Sequence, residues 1–217
     1  MLEAQNIHKS YNSLKVLKGI DIRINAKEIV AIVGASGAGK STLLHILGTL
    51  DQVDEGTLMI NDVNIKSLSS NDLAHFRNKN LGFIFQSHNL FPEFTAIENI
   101  CMPAWLGKSK EKPEARAKEL LEMLNLAHRM HHKPSEMSGG EQQRVSVARA
   151  LINNPLVVFA DEPSGNLDSA NADELHQLFF RLRDEMSKTF VIVTHNDKLA
   201  NMADRKFVMK DGTILNQ

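Results

Sequence analysis

The chain changes from an alternating to a continuous apolar pattern soon after its start. Apolar and polar residues alternate along residues 14–24, residues 25–27 are polar, and residues 29–33 are apolar without interruption. Successive side chains of a strand point to opposite faces, so alternation is typical of a half-buried strand and an unbroken run of a fully buried one. The pattern predicts a hairpin that leads into a buried strand.

Further along the chain, buried strands alternate with helices. The glycine-rich residues 34–39 follow the first buried strand, and residues 40–50 show a compact helical pattern. Two more apolar runs, residues 156–160 and 190–194, are separated by a helical pattern over residues 170–186. This alternation is typical of a mostly parallel sheet with helices on both faces, so we predict an α/β fold.

Residues 88–150 have a helical character of their own. An amphipathic pattern over residues 114–124 predicts one helix, and the prolines of this stretch mark element boundaries. We predict that residues 88–150 form an inserted helical subdomain, with residues 108–114 as its most exposed loop.

Composition and length favour one ordinary globular domain. The chain has 217 residues, 42% of them hydrophobic and 24% charged, with a net charge of -1. This balance argues against disorder and against an extended nucleic-acid surface. The single cysteine, Cys101, excludes an intrachain disulfide and favours a reducing compartment, so the cytosol is expected.

No segment of the sequence has the pattern of a membrane anchor. The N-terminus lacks the basic start and apolar stretch of a secretory signal, and no run of about 18 apolar residues occurs. We therefore expect no direct membrane insertion, so that any role at a membrane requires a partner chain.

The stretch GASGAGKS, residues 34–41, fits the phosphate-loop pattern G-x-x-x-x-G-K-[ST]. Its glycines let successive backbone N–H groups point at phosphate oxygens, while Lys40 reaches the β- and γ-phosphates and Ser41 offers a hydroxyl to Mg²⁺. The helix that begins near Lys40 adds the positive end of its dipole. A strand before the loop and a helix after it distinguish the stretch from a plain glycine turn.

Two adjacent acids end the second buried strand. Asp161 and Glu162 follow residues 156–160, at the edge where open parallel sheets bind their ligands. Asp161 can hold Mg²⁺ through water, and Glu162 can polarise the water that attacks the γ-phosphate. A solvated turn is the alternative interpretation, and the phosphate loop favours the catalytic one.

The segment MSGGEQQRVSVARAL, residues 137–151, resembles the signature of the ABC ATPase family. Ser138 can cap the following helix, with Glu141 as the reciprocal partner in a capping box. Its glycines leave backbone N–H groups free for phosphate. Taken alone, the segment could be only a helix start.

Other motifs of the same family occur in the family's order along nearly the whole chain. Tyr11, the only tyrosine, resembles the aromatic residue that stacks on adenine. Gln86 resembles the glutamine that senses Mg²⁺ and the attacking water, and SGNLD, residues 164–168, resembles the loop that crosses to a second subunit. His195 resembles the histidine that contacts the γ-phosphate.

The resemblance implies a fold and a set of site residues. The fold is that of a phosphate-loop NTPase: a RecA-like core over about residues 1–87 and 151–217, an N-terminal antiparallel β part, and the helical subdomain. The cofactors implied are ATP and Mg²⁺. The residues implied for ATP are Tyr11, Gly34, Ala35, Ser36, Gly37, Ala38, Gly39, Lys40, Ser41 and Thr42. Those implied for catalysis are Glu162, His195 and Gln86, and those for Mg²⁺, partly through water, are Ser41, Gln86 and Asp161.

By the same resemblance two copies of the chain meet head to tail around two ATP molecules. Each ATP then lies between the phosphate loop of one subunit and the signature of the other, with Asp168 in the loop between subunits. The signature residues implied to act on the partner's ATP are Ser138, Gly139, Gly140, Glu141 and Gln142. Hydrolysis reopens the pair, and that movement is the mechanical output.

The subfamily is indicated by residues 81–108. Their pattern resembles the ATP-binding subunits of the bacterial lipoprotein-releasing system, which act on the cytoplasmic face of the inner membrane. Macrolide-export transporters and the cell-division ABC ATPase, a regulator of wall hydrolysis, share much of this pattern. Ser164 and Phe91 depart from the residues usual in all three groups and decide nothing between them. A transport ATPase and a regulatory module that signals ATP occupancy both remain open.

Membrane subunits are expected to dock around residues 86–106. Most apolar residues there, such as Leu90, Ile97 and Ile100, are expected to pack in the core. Phe94 and Trp105 are our first candidates for an exposed groove that receives a partner helix.

Overall fold

The structure, a computed structural model, describes residues 1–107 and 112–215. Residues 108–111 of the exposed loop predicted over residues 108–114 lie outside the described residues. The described part resumes at Lys112, and a helix begins directly afterwards at Pro113.

Ten strands and seven helices make up the described chain. The strands are β1 (Leu2–Tyr11), β2 (Leu14–Ile24), β3 (Ile29–Gly34), β4 (Glu55–Ile60), β5 (Val63–Asn64), β6 (Leu81–Phe85), β7 (Val157–Asp161), β8 (Thr189–Val193), β9 (Arg205–Lys210) and β10 (Thr213–Ile214). The helices are α1 (Lys40–Leu47), α2 (Ser70–Asn80), α3 (Ala96–Leu106), α4 (Pro113–Met123), α5 (Gly139–Leu151), α6 (Ser169–Met186) and α7 (Asp197–Met202). Three short 3-10 turns cover Ile65–Ser67, Ala127–Arg129 and Pro134–Glu136.

The strands form two sheets. An antiparallel sheet has the order β2-β1-β4-β5, and a six-stranded sheet has the order β10-β9-β3-β8-β7-β6. All neighbours in the second sheet are parallel except β9 and β10. The prediction of a mostly parallel sheet with an antiparallel N-terminal part is confirmed. The carboxyl ends of β3, β6, β7 and β8 therefore lie along one edge, where such sheets bind ligands.

The hairpin expected over residues 14–33 is formed by different strands. β2 pairs with β1, for example Leu2 with Ile24, whereas β3 lies in the parallel sheet between β8 and β9. The polar residues 25–27 thus connect two sheets and do not form a hairpin turn. The alternating pattern showed that β2 has one buried face, but it did not show which strand would pair with it.

The central strands β7 and β8 are buried on both faces, as their unbroken apolar runs predict. Along β7, Val157 and Phe159 point into a core shared with the antiparallel sheet and α1, while Val158 and Ala160 point into a core shared with α3–α6. This alternation follows from the period of two along a strand. Because both faces are packed, the carboxyl ends of β7 and β8 are held between two layers of the fold.

The described residues between 88 and 150 contain helices α3, α4 and α5 and no strand. Their buried residues, such as Leu120 and Val145, join the same core as Val158 of β7 and Phe190 of β8. The boundaries of a separate helical subdomain and a RecA-like core remain a prediction. No helix within the described ranges is long and apolar enough to span a bilayer.

Candidate functional site

The phosphate loop connects β3 to α1 at the ligand edge of the sheet. Gly39 caps α1 in a left-handed conformation with φ of 98°, and a Cβ there would lie 3.0 Å from Leu17 Cδ2, so glycine is needed at this position. Lys40 is buried, and its Nζ donates to the carbonyl oxygens of Gly34 at 2.9 Å and Ala35 at 3.0 Å. These bonds hold the ammonium group inside the loop.

Ser41 and Asp161 meet although they are far apart in sequence. Ser41 Oγ donates to Asp161 Oδ1 at 3.2 Å, which places a hydroxyl and a carboxylate side by side at the mouth of the phosphate loop. Oxygen donors of this kind are the ligands that Mg²⁺ prefers, so the residues fit the metal. His45, which the sequence did not indicate, lies with Nε2 4.0 Å from Asp161 Oδ2.

Glu162 and His195 form a pair at the ends of adjacent strands. The His195 backbone N–H donates to Glu162 Oε2 at 3.1 Å, and His195 Nε2 lies 3.3 Å from Glu162 Oε1. Glu162 itself has a left-handed φ of 45°, and its N–H donates to Val193 O at 2.9 Å. This conformation is uncommon for a residue other than glycine, and strained backbone of this kind is concentrated at functional sites.

Gln86 lies against the SGNLD loop. Its Nε2 donates to Asn166 Oδ1 at 3.0 Å, and Asn166 Nδ2 donates back to Gln86 O at 3.1 Å. A Cβ on Gly165 would come within 2.7 Å of Gln86 Nε2, so this glycine allows the close packing. The glutamine and the SGNLD loop are therefore in direct contact. Asn166 had no role assigned from the sequence, although it lies inside a motif that was recognised.

Asp168 caps helix α6. Its Oδ1 accepts from the Asn171 backbone N–H at 2.9 Å, and its Oδ2 accepts from Asn171 Nδ2 at 2.7 Å. These bonds stabilise the ionised form and hold the pKa of Asp168 below its usual value. A Cβ on Gly140 would lie 2.3 Å from Asn171 Oδ1 of α6, and one on Gly139 would lie 3.9 Å from Leu167 Cδ2, so the signature packs against the SGNLD loop and the start of α6 within one chain.

The signature segment forms the start of α5 with the predicted capping box. Glu141 N–H donates to Ser138 Oγ at 3.2 Å, and Ser138 N–H donates to Glu141 Oε2 at 2.8 Å. Burial opposes ionisation of Glu141, but bonds from Ser138 and from Arg129 hold its pKa below the usual value. Gln142 Nε2 donates to the carbonyl oxygens of Pro134 and Met137.

Ser138 and Gly139 are exposed to solvent. Within residues 1–107 and 112–215, no hydrogen bond or ion pair joins the signature residues 138–142 to the phosphate loop. The outer surface of the signature thus remains available to another molecule.

Tyr11 is half-exposed beside the phosphate loop. Its hydroxyl donates to Asp51 Oδ2, which raises the pKa of Tyr11, and the Thr42 side chain lies within hydrogen-bonding reach of the same hydroxyl. Lys9 Nζ lies 5.2 Å from the ring centroid and donates to Asp51 Oδ1 at 2.9 Å. The ring is held in place with one part open to solvent.

Residues 86–106 present several exposed apolar side chains. Phe94 is 37% exposed and Trp105 45%, whereas Leu90 and Ile97 are partly buried against the core and Ile100 is fully buried. A cavity of about 850 Å³ opens between β6, α2 and α3. Its lining includes Leu50, His75, Phe85, Pro103, Leu106 and Arg149. Phe94 and Trp105 are exposed, as a docking role requires, but neither lines this cavity, whose most exposed large apolar side chain is Leu106, at 75%.

Known proteins resemble the chain over its whole length. The sequence pattern of the ABC transporter family matches residues 17–165. The chain is 60% identical over 216 residues to the lipoprotein-releasing system ATP-binding protein LolD of Cytophaga hutchinsonii, covering 99% of each chain. It is 56% identical over 218 residues to LolD of Porphyromonas gingivalis, covering 100% of each.

Solved structures agree with this relationship. The dimeric structure of a bacterial ABC transporter cassette has a TM-score of 0.91 and 38% identity, covering 100% of this chain and 97% of that one. A dimeric cassette in a post-hydrolysis state, bound to ADP and phosphate, has a TM-score of 0.91 and 37% identity, again covering 100% of this chain and 97% of that one. The chain belongs to the ABC transporter family, and it is an ATPase subunit of that family.

Proposed function

We propose that this chain is the motor subunit of a transporter that releases lipoproteins from the bacterial inner membrane toward a periplasmic carrier. The main support for its catalytic role is the pairing of Glu162 with His195, next to the contact between Ser41 and Asp161. The cargo is supported by the two relatives named for lipoprotein release, which are 60% and 56% identical over the full chain.

ATP binding follows from the surroundings of the phosphate loop. The exposed ring of Tyr11 stacks on the adenine, and the backbone N–H groups of residues 34–42 point at the phosphates. Lys40 exchanges its two carbonyl bonds for the β- and γ-phosphates. Ser41 and Asp161, with Gln86, would hold Mg²⁺, partly through water, and the metal would supply positive charge that offsets charge on the phosphates.

The chemistry is assigned to Glu162. Its carboxylate accepts a hydrogen bond from the attacking water and polarises that water toward the γ-phosphate. His195 orients the carboxylate through the backbone N–H bond and contacts the γ-phosphate with its ring. Gln86 would contact the attacking water and Mg²⁺, and its hydrogen bond to Asn166 connects it to the SGNLD loop.

Two copies of the chain close around two ATP molecules. The start of α5 offers the Ser138 hydroxyl, the N–H groups of Gly139 and Gly140 and the positive end of a helix dipole to the γ-phosphate held by the other copy. Support comes from the dimeric cassettes that the chain resembles and from the free outer surface of the signature. Asp168 lies in the loop that faces the other copy.

The chain acts on the cytoplasmic face of the inner membrane by docking to membrane subunits. The groove between β6, α2 and α3 fits a short helix with one apolar side, because Leu106 and Phe85 form apolar wall and Arg149 and His75 form polar wall. The groove includes part of the expected docking region, residues 86–106. A movement of the bound helix would act first on the loop that follows Gln86.

Replacing the proposed base tests the hydrolysis step. We expect Glu162→Gln to reduce turnover by about two orders of magnitude, because the amide cannot accept the proton of the attacking water. The same variant is expected to accumulate as an ATP-bound dimer in size-exclusion chromatography. Glu185→Gln, which changes an exposed glutamate of α6, is the matched control. Normal ATPase activity of Glu162→Gln would refute the role given to Glu162.

Reconstitution of transport tests the cargo. The chain is assembled in vesicles with the membrane proteins encoded beside its gene, and the vesicles carry an acylated lipoprotein. We expect ATP-dependent release of the lipoprotein with the wild type and with Glu185→Gln, and none with Glu162→Gln. If the assembled complex hydrolyses ATP without releasing the lipoprotein, the cargo assignment is wrong and a macrolide-export or cell-division role takes its place.

A further inference from the structure

Two fully buried polar side chains hold the segment that follows Glu162. Gln143 of α5 is 0% exposed, and its Nε2 donates to Pro163 O at 2.6 Å. His176 of α6 is 1% exposed, and its Nε2 lies 3.1 Å from Ser164 Oγ. Pro163 and Ser164 are buried themselves. The two residues after the proposed base are thus bonded from two different helices.

Packing alone does not explain a glutamine at position 143. A buried amide is costly unless its polar atoms are bonded, and Gln143 Oε1 has no hydrogen-bond partner among the described residues. An apolar side chain of similar length would fill the same space without that cost. What the amide adds is one directed bond, to the Pro163 carbonyl.

The bond to Pro163 is made directly after Glu162, whose own backbone is strained and hydrogen-bonded. Glu162 is left-handed, its N–H donates to Val193 O at 2.9 Å, and its carbonyl accepts from Gly165 N–H at 3.0 Å. Pro163 has a nearly fixed φ and no N–H of its own, so its carbonyl is the polar backbone group through which the rest of the fold can hold it. Gln143 supplies that contact.

We propose that Gln143 is a positioning residue that holds Glu162 in the geometry needed to polarise the attacking water. The inference rests on the proposed role of Glu162 as the base. Because α5 also begins with the signature that serves the other ATP, the same bond connects the base of one ATP site to the helix that closes the second site. A displacement of α5 when the two copies close around ATP then moves Pro163 and changes the orientation of the Glu162 carboxylate.

Kinetics of a variant without the donor test the proposal. Gln143→Met keeps the length of the side chain and removes both the donor and the unpartnered oxygen, so it is expected to fold. We expect kcat to fall about tenfold, since small misplacements of a catalytic group are costly, while KM for ATP stays within about twofold. Ser146→Ala is the matched control, since Ser146 is fully buried on the same helix and its Oγ also has no described partner.

A double variant separates positioning from a general structural effect. In the Glu162→Gln background, Gln143→Met is expected to cause no further loss of the residual hydrolysis, because both changes act through the same carboxylate. Thermal unfolding midpoints are measured for every variant, and Gln143→Leu provides a second apolar probe if the methionine variant unfolds. A wild-type kcat in the folded Gln143 variants, or an equal additional fall in the double variant, would overturn the inference.

The outcomes also distinguish the two proposals. Normal turnover of Glu162→Gln contradicts the proposed function itself. Loss of turnover in Glu162→Gln together with normal turnover in Gln143→Met contradicts only the positioning role.

Discussion

At the scale of single residues, several side chains in and around the candidate site have a strained backbone or a buried polar group. Glu162 is left-handed and paired with His195, Lys40 is buried against two loop carbonyls, and His176 is a buried imidazole next to Ser164. Each setting has a cost to stability that the surrounding fold must offset. The cost of burying the His176 imidazole depends on pH.

His176 makes the folded chain sensitive to mild acid. Burial lowers the pKa of His176 below its ordinary value of 6.5, with Asp173 opposing the shift. As pH falls below about 6.5 the unfolded chain binds a proton that the folded chain does not, so the free energy of unfolding decreases by up to about 1.4 kcal/mol per pH unit until the folded pKa is reached. We expect His176→Phe to flatten this decrease, as measured by urea unfolding between pH 7 and pH 5.

The control for this measurement is His75→Gln, which removes an exposed imidazole. An unchanged pH dependence in His176→Phe would show that the buried imidazole is not responsible.

Contacts set by local sequence spacing could be predicted, and so could contacts between residues near the ends of neighbouring parallel strands. The Ser138–Glu141 capping box needs only a spacing of three, and Ser41 meets Asp161 because parallel strands end at one edge. Gln143 was missed, since its contact depends on how α5 packs on the sheet. Its position one helical turn from Val147 was a signal, because it puts a polar residue on an apolar stripe.

At the scale of elements, one side chain of α3 organises the loop that leads from Gln86 toward the docking region. Asn99 is fully buried, and its Oδ1 accepts from Phe91 N–H at 2.7 Å. Its Nδ2 donates to the carbonyl oxygens of Phe91, Phe94 and Thr95 at 3.1, 3.0 and 3.0 Å. These bonds attach the loop to α3, and the loop presents Phe91 and Phe94 with ring centroids 5.8 Å apart.

Removing Asn99 should loosen this loop and destabilise the chain. We expect Asn99→Ala to reduce the free energy of unfolding by about 3 kcal/mol, because several hydrogen bonds of the loop backbone lose their partner. Chemical denaturation measures the change, with Asn71→Ala, an exposed asparagine of α2, as the matched control. A reduction no larger than that of the control would mean that the amide does not hold the loop.

Strong apolar patterns predicted elements well, and polar elements escaped notice. The helix pattern over residues 40–50 corresponds to α1, which ends at Leu47 because Gly48 follows. Helix α2 has no fully buried residue, and the pair Leu73 and Phe76, partly buried against the core, is too short an apolar stripe to indicate a helix. The pairing of strands was also not predicted correctly. β2 pairs with β1, and β3 lies in the other sheet, because long-range packing determines which strands pair.

For the whole molecule, the arrangement of motifs implies that a single chain holds two half-sites. The phosphate loop, Asp161, Glu162 and His195 lie at one sheet edge, while the exposed signature at the start of α5 faces outward. Pairing of two chains would complete two ATP sites at once, and α5 would connect each base to the other site through Gln143. The family resemblance in the sequence indicated this pairing, whereas the connection through α5 required the folded structure.

Mixing two inactive variants tests the shared site most directly. Lys40→Ala removes the phosphate-loop cation, Ser138→Arg blocks the signature, and each variant alone should be inactive because both of its sites carry the defect. A mixed dimer has one site with both defects and one with neither, so an equal mixture is expected to regain about one quarter of the wild-type ATPase activity. A mixture no more active than either variant alone would contradict an ATP site built from two chains.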